Sequence, residues 1–308
     1  MSRSNRKGRY ESRWSFWIVR TVVYFSILLL TARGHGSELN TILTVSPDAS
    51  PDLQAESFAD RKLRDIIGRQ EAIFGDIENR EGSYSQTEFD NKLQQITHSY
   101  EEYLLQNPDK VIAYILYGKL LYKVGQYEHA VLQFLNADKL DPNIAVVKQQ
   151  LGNYMAENGK VEEALGFFFQ AVELSPKTAL YYYQLGEVMH VFRSKILTLG
   201  LFSESELEES MLQTFANAAR LAPDNRIFRF RYAESFYDVQ NPDWEAALLL
   251  WADLQKGATP GLEADAVRLH RAKVLLMLKR FDEALDLASI VETPALETSR
   301  QEIIDHAK

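Results

Sequence analysis

Residues 111–142 read VIAYILYGKLLYKVGQYEHAVLQFLNADKLDP, and residues 145–176 read AVVKQQLGNYMAENGKVEEALGFFFQAVELSP. Glycine, alanine, phenylalanine and proline occur at the same offsets in both stretches, each recurring after 34 residues. A fixed interval of this length indicates an architecture of stacked repeats. The recurring positions are Gly118, Ala130, Phe134, Ala137 and Pro142 in the first stretch, and Gly152, Ala164, Phe168, Ala171 and Pro176 in the second.

Each stretch has the pattern of two amphipathic helices joined by a turn. Gly125 can adopt the left-handed backbone conformation that ends the first helix. Ala130, Phe134 and Ala137 then recur at helical spacing and form one apolar stripe along the second helix. Pro142 stops that helix because proline lacks an amide donor. A single hairpin cannot bury both of its apolar faces, so neighbouring hairpins must stack.

The pattern resembles the tetratricopeptide repeat (TPR) family, in which each repeat is a hairpin of two helices. The resemblance extends from about residue 85 to about residue 295, and it implies an all-α, right-handed superhelical solenoid. Residues 60–108 are expected to form N-terminal capping helices. The repeats are expected at 111–144 (repeat 1), 145–178 (repeat 2), 179–225 (repeat 3), 226–260 (repeat 4) and 261–308 (a degenerate repeat 5 with a C-terminal cap).

Repeat 3 departs from the regular length. Pro176 and Pro223 are 47 residues apart rather than 34, so the repeat carries an insertion. Ser203-x-x-Glu206 matches a capping box, in which each side chain bonds the other residue's backbone amide at a helix start. The second helix is therefore expected to begin near Ser203, and the extra residues to lengthen the first helix and the loop around residues 199–200. The repeat keeps Gly186, Phe215, Ala218 and Pro223 at the recurring positions.

The first 34 residues differ in charge from the rest of the chain. They hold seven basic residues against one acid, and since the whole chain has a net charge of −9, the remainder carries −15. A basic start followed by the uncharged run Thr21–Ala32 and by small residues is typical of a secretory signal, here residues 1–36. The alternative is a membrane tether, a signal-anchor in which residues 14–32 span the membrane. Either segment predicts export to the periplasm or another extracytoplasmic location, with residues 37–59 as a flexible linker.

Composition and motifs exclude several classes of function. The chain has no cysteine, which excludes disulfides, thiol nucleophiles and cysteine-bound zinc or iron–sulfur clusters. The acidic body argues against binding of nucleic acid. No glycine-rich phosphate loop, nucleophile elbow or HExxH pair occurs, and the six histidines are scattered. We therefore expect a protein that is not an enzyme and needs no metal or cofactor.

The TPR resemblance implies where a partner would bind. In the family, peptides lie in a concave groove formed by the first helices of the repeats. The matching positions here imply a groove that is basic at one end and acidic at the other, with aromatic residues throughout. The cationic clamp that some members use for a terminal carboxylate is not reproduced. The residues at groove positions are Ile115, Lys119, Tyr122, Gln149, Asn153, Tyr183, Glu187, His190, Phe230 and Tyr237, together with Lys123, Glu157, Glu234 and Asp238.

The sequence therefore predicts a non-catalytic scaffold that holds a protein or peptide partner in this groove. Two alternatives stay open. One is a component of envelope assembly that self-associates through its outer face or terminal helices. The other is an enzyme that uses dispersed carboxylates.

Overall fold

The computed structural model describes residues 57–78 and 85–308. The predicted signal or membrane tether in residues 1–36 and nearly all of the predicted linker lie outside the described residues. Contacts divide the chain into two compact parts, Met1–Ala72 and Ile73–Lys308, and the repeats all belong to the second. Within the described ranges, no helix is long and apolar enough to cross a membrane, and no strand occurs.

The described residues form helices joined by short connections. The α-helices are α1 (Phe58–Glu78), α2 (Gln86–Gln106), α3 (Val111–Lys123), α4 (Tyr127–Leu140), α5 (Ala145–Glu157), α6 (Val161–Leu174), α7 (Ala179–Val191), α8 (Arg193–Thr198), α9 (Glu204–Leu221), α10 (Arg226–Ser235), α11 (Trp244–Lys256), α12 (Leu262–Met277), α13 (Phe281–Ser289) and α14 (Glu297–Ala307), with 3-10 turns at Phe236–Asp238 and Pro294–Leu296.

The helices pack in chain order as a stack of hairpins. The hairpins are α3 with α4, α5 with α6, α7 with α9, α10 with α11, and α12 with α13. Each second helix also packs on the first helix of the next hairpin, so a continuous core runs through the stack. This arrangement confirms the predicted all-α solenoid of helical hairpins. The short helix α8 is the insertion of repeat 3.

A glycine on the first helix allows close contact with a phenylalanine on the second. In repeat 3, a β-carbon added at Gly186 would lie 2.7 Å from Cε1 of Phe215, and Phe215 is fully buried. Such a distance is shorter than packed carbon atoms allow, so only glycine fits the backbone at this crossing. The equivalent pairs are Gly118 with Phe134 at 2.8 Å and Gly152 with Phe168 at 3.1 Å.

The turns between paired helices share one geometry. At the end of α3, Gly125 has φ +79°, and the amide of Gln126 donates to the carbonyl of Leu121 over 2.8 Å. This is the Schellman arrangement, which needs a residue in the left-handed region. Gly159 and Gly200 occupy the same position at φ +67° and +69°. In repeat 5 the position is held by Lys279 at φ +60°, the one non-glycine residue with positive φ among those described.

We expect Lys279→Gly to stabilise the protein by about 1 kcal/mol. A left-handed backbone costs a residue with a β-carbon about 1–2 kcal/mol, and the greater freedom of glycine in the unfolded chain offsets part of the gain. Thermal unfolding followed by circular dichroism measures the change. Lys177→Gly is the matched control, because this exposed lysine also lies in a turn but has no positive φ. A fall in melting temperature for Lys279→Gly would contradict the prediction.

The insertion of repeat 3 folds only partly as predicted. The second helix, α9, begins at Glu204 behind a complete Ser203–Glu206 capping box, which confirms that prediction. The first helix, however, is not lengthened, because α7 ends at Val191 and a turn at Phe192 separates it from α8. Beyond the turn, Ile196 on α8 is fully buried. Apolar spacing alone could not reveal this break.

Candidate functional site

The structure buries three of the predicted groove residues. Ile115, Gln149 and Tyr183 are 2, 4 and 3% exposed, and all three occupy the fifth position of their repeat. The ring of Tyr183 stacks on Phe228 of the next first helix, with centroids 4.8 Å apart. Contact with the next first helix thus covers Tyr183. The three buried residues are not part of the candidate surface, whereas Phe230 at the same position of repeat 4 is partly exposed. The remaining residues are partly exposed: Lys119, Tyr122, Asn153, Glu187, His190, Phe230 and Tyr237.

One polar pair joins the first helices of repeats 1 and 2. The hydroxyl of Tyr122 at the end of α3 donates a hydrogen bond to Glu157 at the end of α5. The Tyr122 ring also meets Tyr127 edge to face, with centroids 4.9 Å apart. Burial, followed by the hydrogen bond to Glu157, raises the pKa of the Tyr122 phenol. Tyr122 therefore stays a neutral donor at physiological pH.

A larger group of charges joins the first helices of repeats 3, 4 and 5. Arg231 on α10 donates from Nε to Oε1 of Glu187 on α7 over 2.6 Å, and from Nη1 to Oδ2 of Asp238 over 3.1 Å. The same Asp238 oxygen lies 3.2 Å from Nδ1 of His190. We call this group the charged cluster; it consists of Glu187, His190, Arg231, Glu234, Asp238 and Lys273.

Arg231 is the buried centre of the charged cluster. Its side chain is 7% exposed, and its guanidinium lies over the ring of Phe215 at 4.2 Å from the centroid. A buried charge is costly unless it is paired and hydrogen-bonded, and here two carboxylates supply the pairing. By contrast, the side chains of His190 and Asp238 are 29 and 25% exposed. The charged cluster therefore has a solvent-exposed edge at His190 and Asp238, and the buried Arg231 lies beneath it.

Burial sets unusual protonation states in the charged cluster. Desolvation raises the pKa of Glu234 to about 7, with Arg231 opposing the rise and Asp238 and Glu187 adding to it. Burial alone would raise the pKa of Asp238, but its bonds to His190 and Arg231 outweigh burial and lower it. Burial lowers the pKa of Lys273, against the attraction of nearby carboxylates. The ammonium of Lys273 lies 4.4 Å from the ring centroid of Tyr237, a cation–π contact.

We expect Glu234→Gln to stabilise the protein at pH 8 and to have little effect at pH 4. Between the ordinary pKa of 4.5 and the folded value of about 7, the folded chain keeps a proton that the unfolded chain has lost. The contribution of Glu234 to the free energy of unfolding therefore falls as the pH rises through this window. The variant should gain about 2–3 kcal/mol at pH 8 relative to pH 4. Urea denaturation of the variant and the parent at pH 4 and pH 8 measures this difference in the free energy of unfolding.

The matched control for this prediction is Glu163→Gln, an exposed acid on α6. It should change the stability by less than about 0.5 kcal/mol at either pH, as exposed surface substitutions do. A Glu234→Gln variant whose stability gain is the same at pH 4 and pH 8 would show that Glu234 titrates normally in the folded chain.

Aromatic rings support the cluster from the side of repeat 5. His270 stacks on Trp251 with centroids 4.1 Å apart and an angle of 2° between the rings. Burial lowers the pKa of His270 to about 3, so the imidazole is neutral at physiological pH. The Tyr237 hydroxyl donates to the carbonyl oxygen of His270 over 3.2 Å. Phe230 meets Trp251 edge to face at 4.8 Å.

Two cations of this site, Arg231 and Lys273, are not among the predicted groove residues. Arg231 lies at a position that the family pattern does not place in the groove. Lys273 lies six residues before the turn position, as Lys119 does in repeat 1, so it has a groove position of repeat 5 that the prediction left unassigned. One signal was available: the segment RIFRFR at residues 226–231 alternates three arginines with apolar residues at the start of a helix. In the part of the chain that the structure describes, no group of three or more histidine, aspartate or glutamate side chains could hold a metal ion.

Comparison with known proteins places the fold. No protein-family model and no curated protein sequence matches the chain. Among solved structures, the TPR protein YrrB aligns with a TM-score of 0.51 and 18% identity over 68% of this chain and 96% of its own; its description is a TPR protein with an unusual peptide-binding site. PilF of Pseudomonas aeruginosa aligns with a TM-score of 0.51 and 15% identity, over 80% of this chain and 98% of its own.

A third solved structure is the C-terminal part of a TPR repeat-containing protein from Cytophaga hutchinsonii. It has a TM-score of 0.53 and 17% identity and covers 82% of this chain and 98% of its own. At these identities the likeness establishes the fold. The chain therefore has a TPR-type solenoid, in agreement with the hairpins and turns described above.

Proposed function

We propose that the protein is a non-catalytic scaffold that binds an extended segment of a partner protein along the first helices of its repeats. The observation that carries the proposal is the charged cluster. Its solvent-exposed edge holds His190 of repeat 3 and Asp238 of repeat 4, and the buried Arg231 below holds Glu187 and Asp238 in place through hydrogen bonds. Preorganised polar groups beside aromatic rings are what a specific binding surface requires.

The surface supports a ligand of mixed character. The acidic groups of Glu187, Glu234 and Asp238 lie close to the cations of Arg231 and Lys273. The surface is therefore complementary in charge neither to a polyanion nor to a polycation. Tyr122 and Tyr237 offer rings with a polar tip, which suits anchoring of side chains. We therefore propose a segment that hydrogen-bonds to the cluster and places apolar side chains on the tyrosines. YrrB, which is described as having a peptide-binding site, makes such a role compatible with the fold.

We further propose that the repeats act outside the cytoplasm. The support is the basic start and apolar run of residues 1–36, read either as a cleaved signal or as a tether through residues 14–32. Sequencing of the N-terminus of the protein isolated from fractionated cells separates the two. A start near residue 35 in the soluble fraction indicates cleavage, and an intact N-terminus in the membrane fraction indicates a tether. Protein found intact in the cytosol would refute export.

A paired variant tests the binding surface. Tyr122→Ala combined with His190→Ala removes two partly exposed side chains from the first helices, and Phe169→Ala combined with His129→Ala removes two exposed ones from second helices. Tagged full-length proteins are purified from their own cells, and bound partners are quantified by mass spectrometry. We expect the Tyr122→Ala, His190→Ala protein to recover about tenfold less partner than the parent, as substitution of anchor residues does. The Phe169→Ala, His129→Ala protein should recover as much as the parent.

Circular dichroism melts accompany both pairs, so that loss of binding is separated from loss of structure. The proposal fails if a folded Tyr122→Ala, His190→Ala protein recovers its partners in full. It also fails if only the second-helix pair loses them.

A further inference from the structure

A separate pocket lies between repeats 3 and 4. It has a volume of about 330 Å³ and is formed by one face of α9 and by the segment from Tyr232 to Asn241. The pocket uses Tyr232 of α10 and Phe236 of the following 3-10 turn, whereas the charged cluster uses Arg231 and Glu234 of α10. Successive residues of a helix are rotated by about 100°, so these two sets point in different directions. The pocket is thus distinct from the proposed binding surface.

The pocket results from two irregularities of repeat 4. The first helices of repeats 1, 2 and 3 each have 13 residues, but α10 stops after 10 and continues as the 3-10 turn Phe236–Asp238. The chain then leaves in an extended conformation at Val239. The amide of Gln240 donates to Oε2 of Glu208 over 3.0 Å, which fixes the loop at the pocket edge.

The lining of the pocket combines an apolar floor with an acidic rim. Leu212, Phe236 and Val239 contribute to the floor, and Glu208 and Glu209 to the rim. Arg193 and the Gln240 amide already engage Glu208. Glu209 is exposed, and within residues 57–78 and 85–308 it forms no ion pair. One carboxylate at the pocket rim therefore remains available to a ligand.

We propose that this pocket receives a lysine or arginine side chain of a partner protein. Such a side chain has an aliphatic stem that can lie on the apolar floor of the pocket, while its charged end stays in solvent beside Glu209. Charge favours this occupant, since the carboxylate of Glu209 is exposed and the chain after residue 34 carries a net −15. The pocket would give the scaffold a second contact, beside the charged cluster, since Arg193 bonds both Glu208 of the pocket and the carbonyl oxygen of Asp238.

Nuclear magnetic resonance of the methyl-labelled full-length protein tests the proposal. The probes are the blocked amino acids N-acetyl-lysine methylamide and N-acetyl-arginine methylamide, with the norleucine and glutamate analogues and free spermidine as comparisons. We expect the lysine and arginine probes to shift the methyl signals of Leu212, Ala216 and Val239 in a saturable way. Because the norleucine probe lacks the charge, its binding should be about fivefold weaker or more.

Three variants make the test specific to the pocket. Glu209→Gln should weaken the lysine probe about fivefold, and Ala216→Leu should abolish its binding by filling the pocket. Glu163→Gln, an exposed acid on α6, should leave binding unchanged. If Ala216→Leu does not fold, the exposed Glu209→Gln still decides the question.

Three outcomes would overturn the proposal. The first is no shift at the three methyl positions with either cationic probe. The second is equal binding of the norleucine and lysine probes, which would show an apolar site that ignores charge. The third is tighter binding of spermidine than of the lysine probe, which would indicate a site for free polyamines instead of a protein side chain. None of these outcomes bears on the surface formed by the first helices.

Discussion

We expect Gly186→Val to lower the free energy of unfolding by about 3 kcal/mol, at the upper end of what overpacking costs in a core. The first added carbon would lie 2.7 Å from the Phe215 ring, and that ring cannot retreat. It meets Tyr183 edge to face at 6.1 Å and is covered by the Arg231 guanidinium at 4.2 Å. Urea denaturation monitored by circular dichroism measures the loss.

The control for this prediction is Gly166→Val on α6, where an added β-carbon meets nothing within 4 Å. Glycine disfavours a helix interior, so this variant should be equally stable or slightly more stable than the parent. A second check combines Gly186→Ala with Phe215→Leu. The leucine side chain is smaller than the phenylalanine ring and leaves room for the added β-carbon, so the double variant should lose less stability than the two single variants added together. Equal stabilities for Gly186→Val and Gly166→Val would refute the packing account of the repeat.

We expect the second large effect from Arg231→Met, a loss of about 3–5 kcal/mol in the free energy of unfolding, because it leaves the carboxylates of Glu187 and Asp238 without their buried cation. Glu187 and Asp238 would then lose their hydrogen-bonded cation, and Lys273 would be the cation of the charged cluster that remains. The comparison is Arg229→Met on the same helix, whose partner Asp253 is 57% exposed. Exposed pairs contribute at most about 1 kcal/mol, so this loss should be small. Urea denaturation at pH 7 measures both.

A rescue experiment distinguishes lost charge balance from lost packing. Adding Glu187→Gln and Asp238→Asn to Arg231→Met removes the unpaired charges, so more than half of the lost stability should return. A triple variant no more stable than Arg231→Met would show that the arginine stabilises through its contact with Phe215 alone.

Much of the fold could be predicted from the sequence, because its regular features repeat. Glycine, alanine and proline at 34-residue steps specify where helices cross, turn and stop, and these constraints are local. The capping box at Ser203 is local too, and the helix it predicts begins where expected. The turn of repeat 5 uses Lys279 in place of glycine, which shows that stacking holds the geometry even where the local preference opposes it.

The candidate site was less predictable because it depends on contacts between repeats. Tyr183 has the spacing of an exposed residue, yet stacking on Phe228 of the next helix buries it. Arg231 lies outside the family's groove positions, yet it joins Glu187 of one repeat to Asp238 of the next. The break at Phe192 likewise lies in the insertion, which the other repeats lack, and the short helix after it buries Ile196. Such features arise from how two repeats pack, and a pattern within one repeat does not encode them.

Site-specific photocrosslinking in the protein's own cells is the most direct test of the proposed binding surface. A photoreactive phenylalanine analogue replaces Tyr122 or His190 on the first helices, and Phe169 or Leu249 on the second helices, in the full-length chain. We predict that both first-helix positions crosslink to a common partner segment. Its synthetic peptide should bind the purified parent protein and fail to bind the Tyr122→Ala, His190→Ala variant. Crosslinks from Phe169 and Leu249 with none from Tyr122 and His190 would contradict the account.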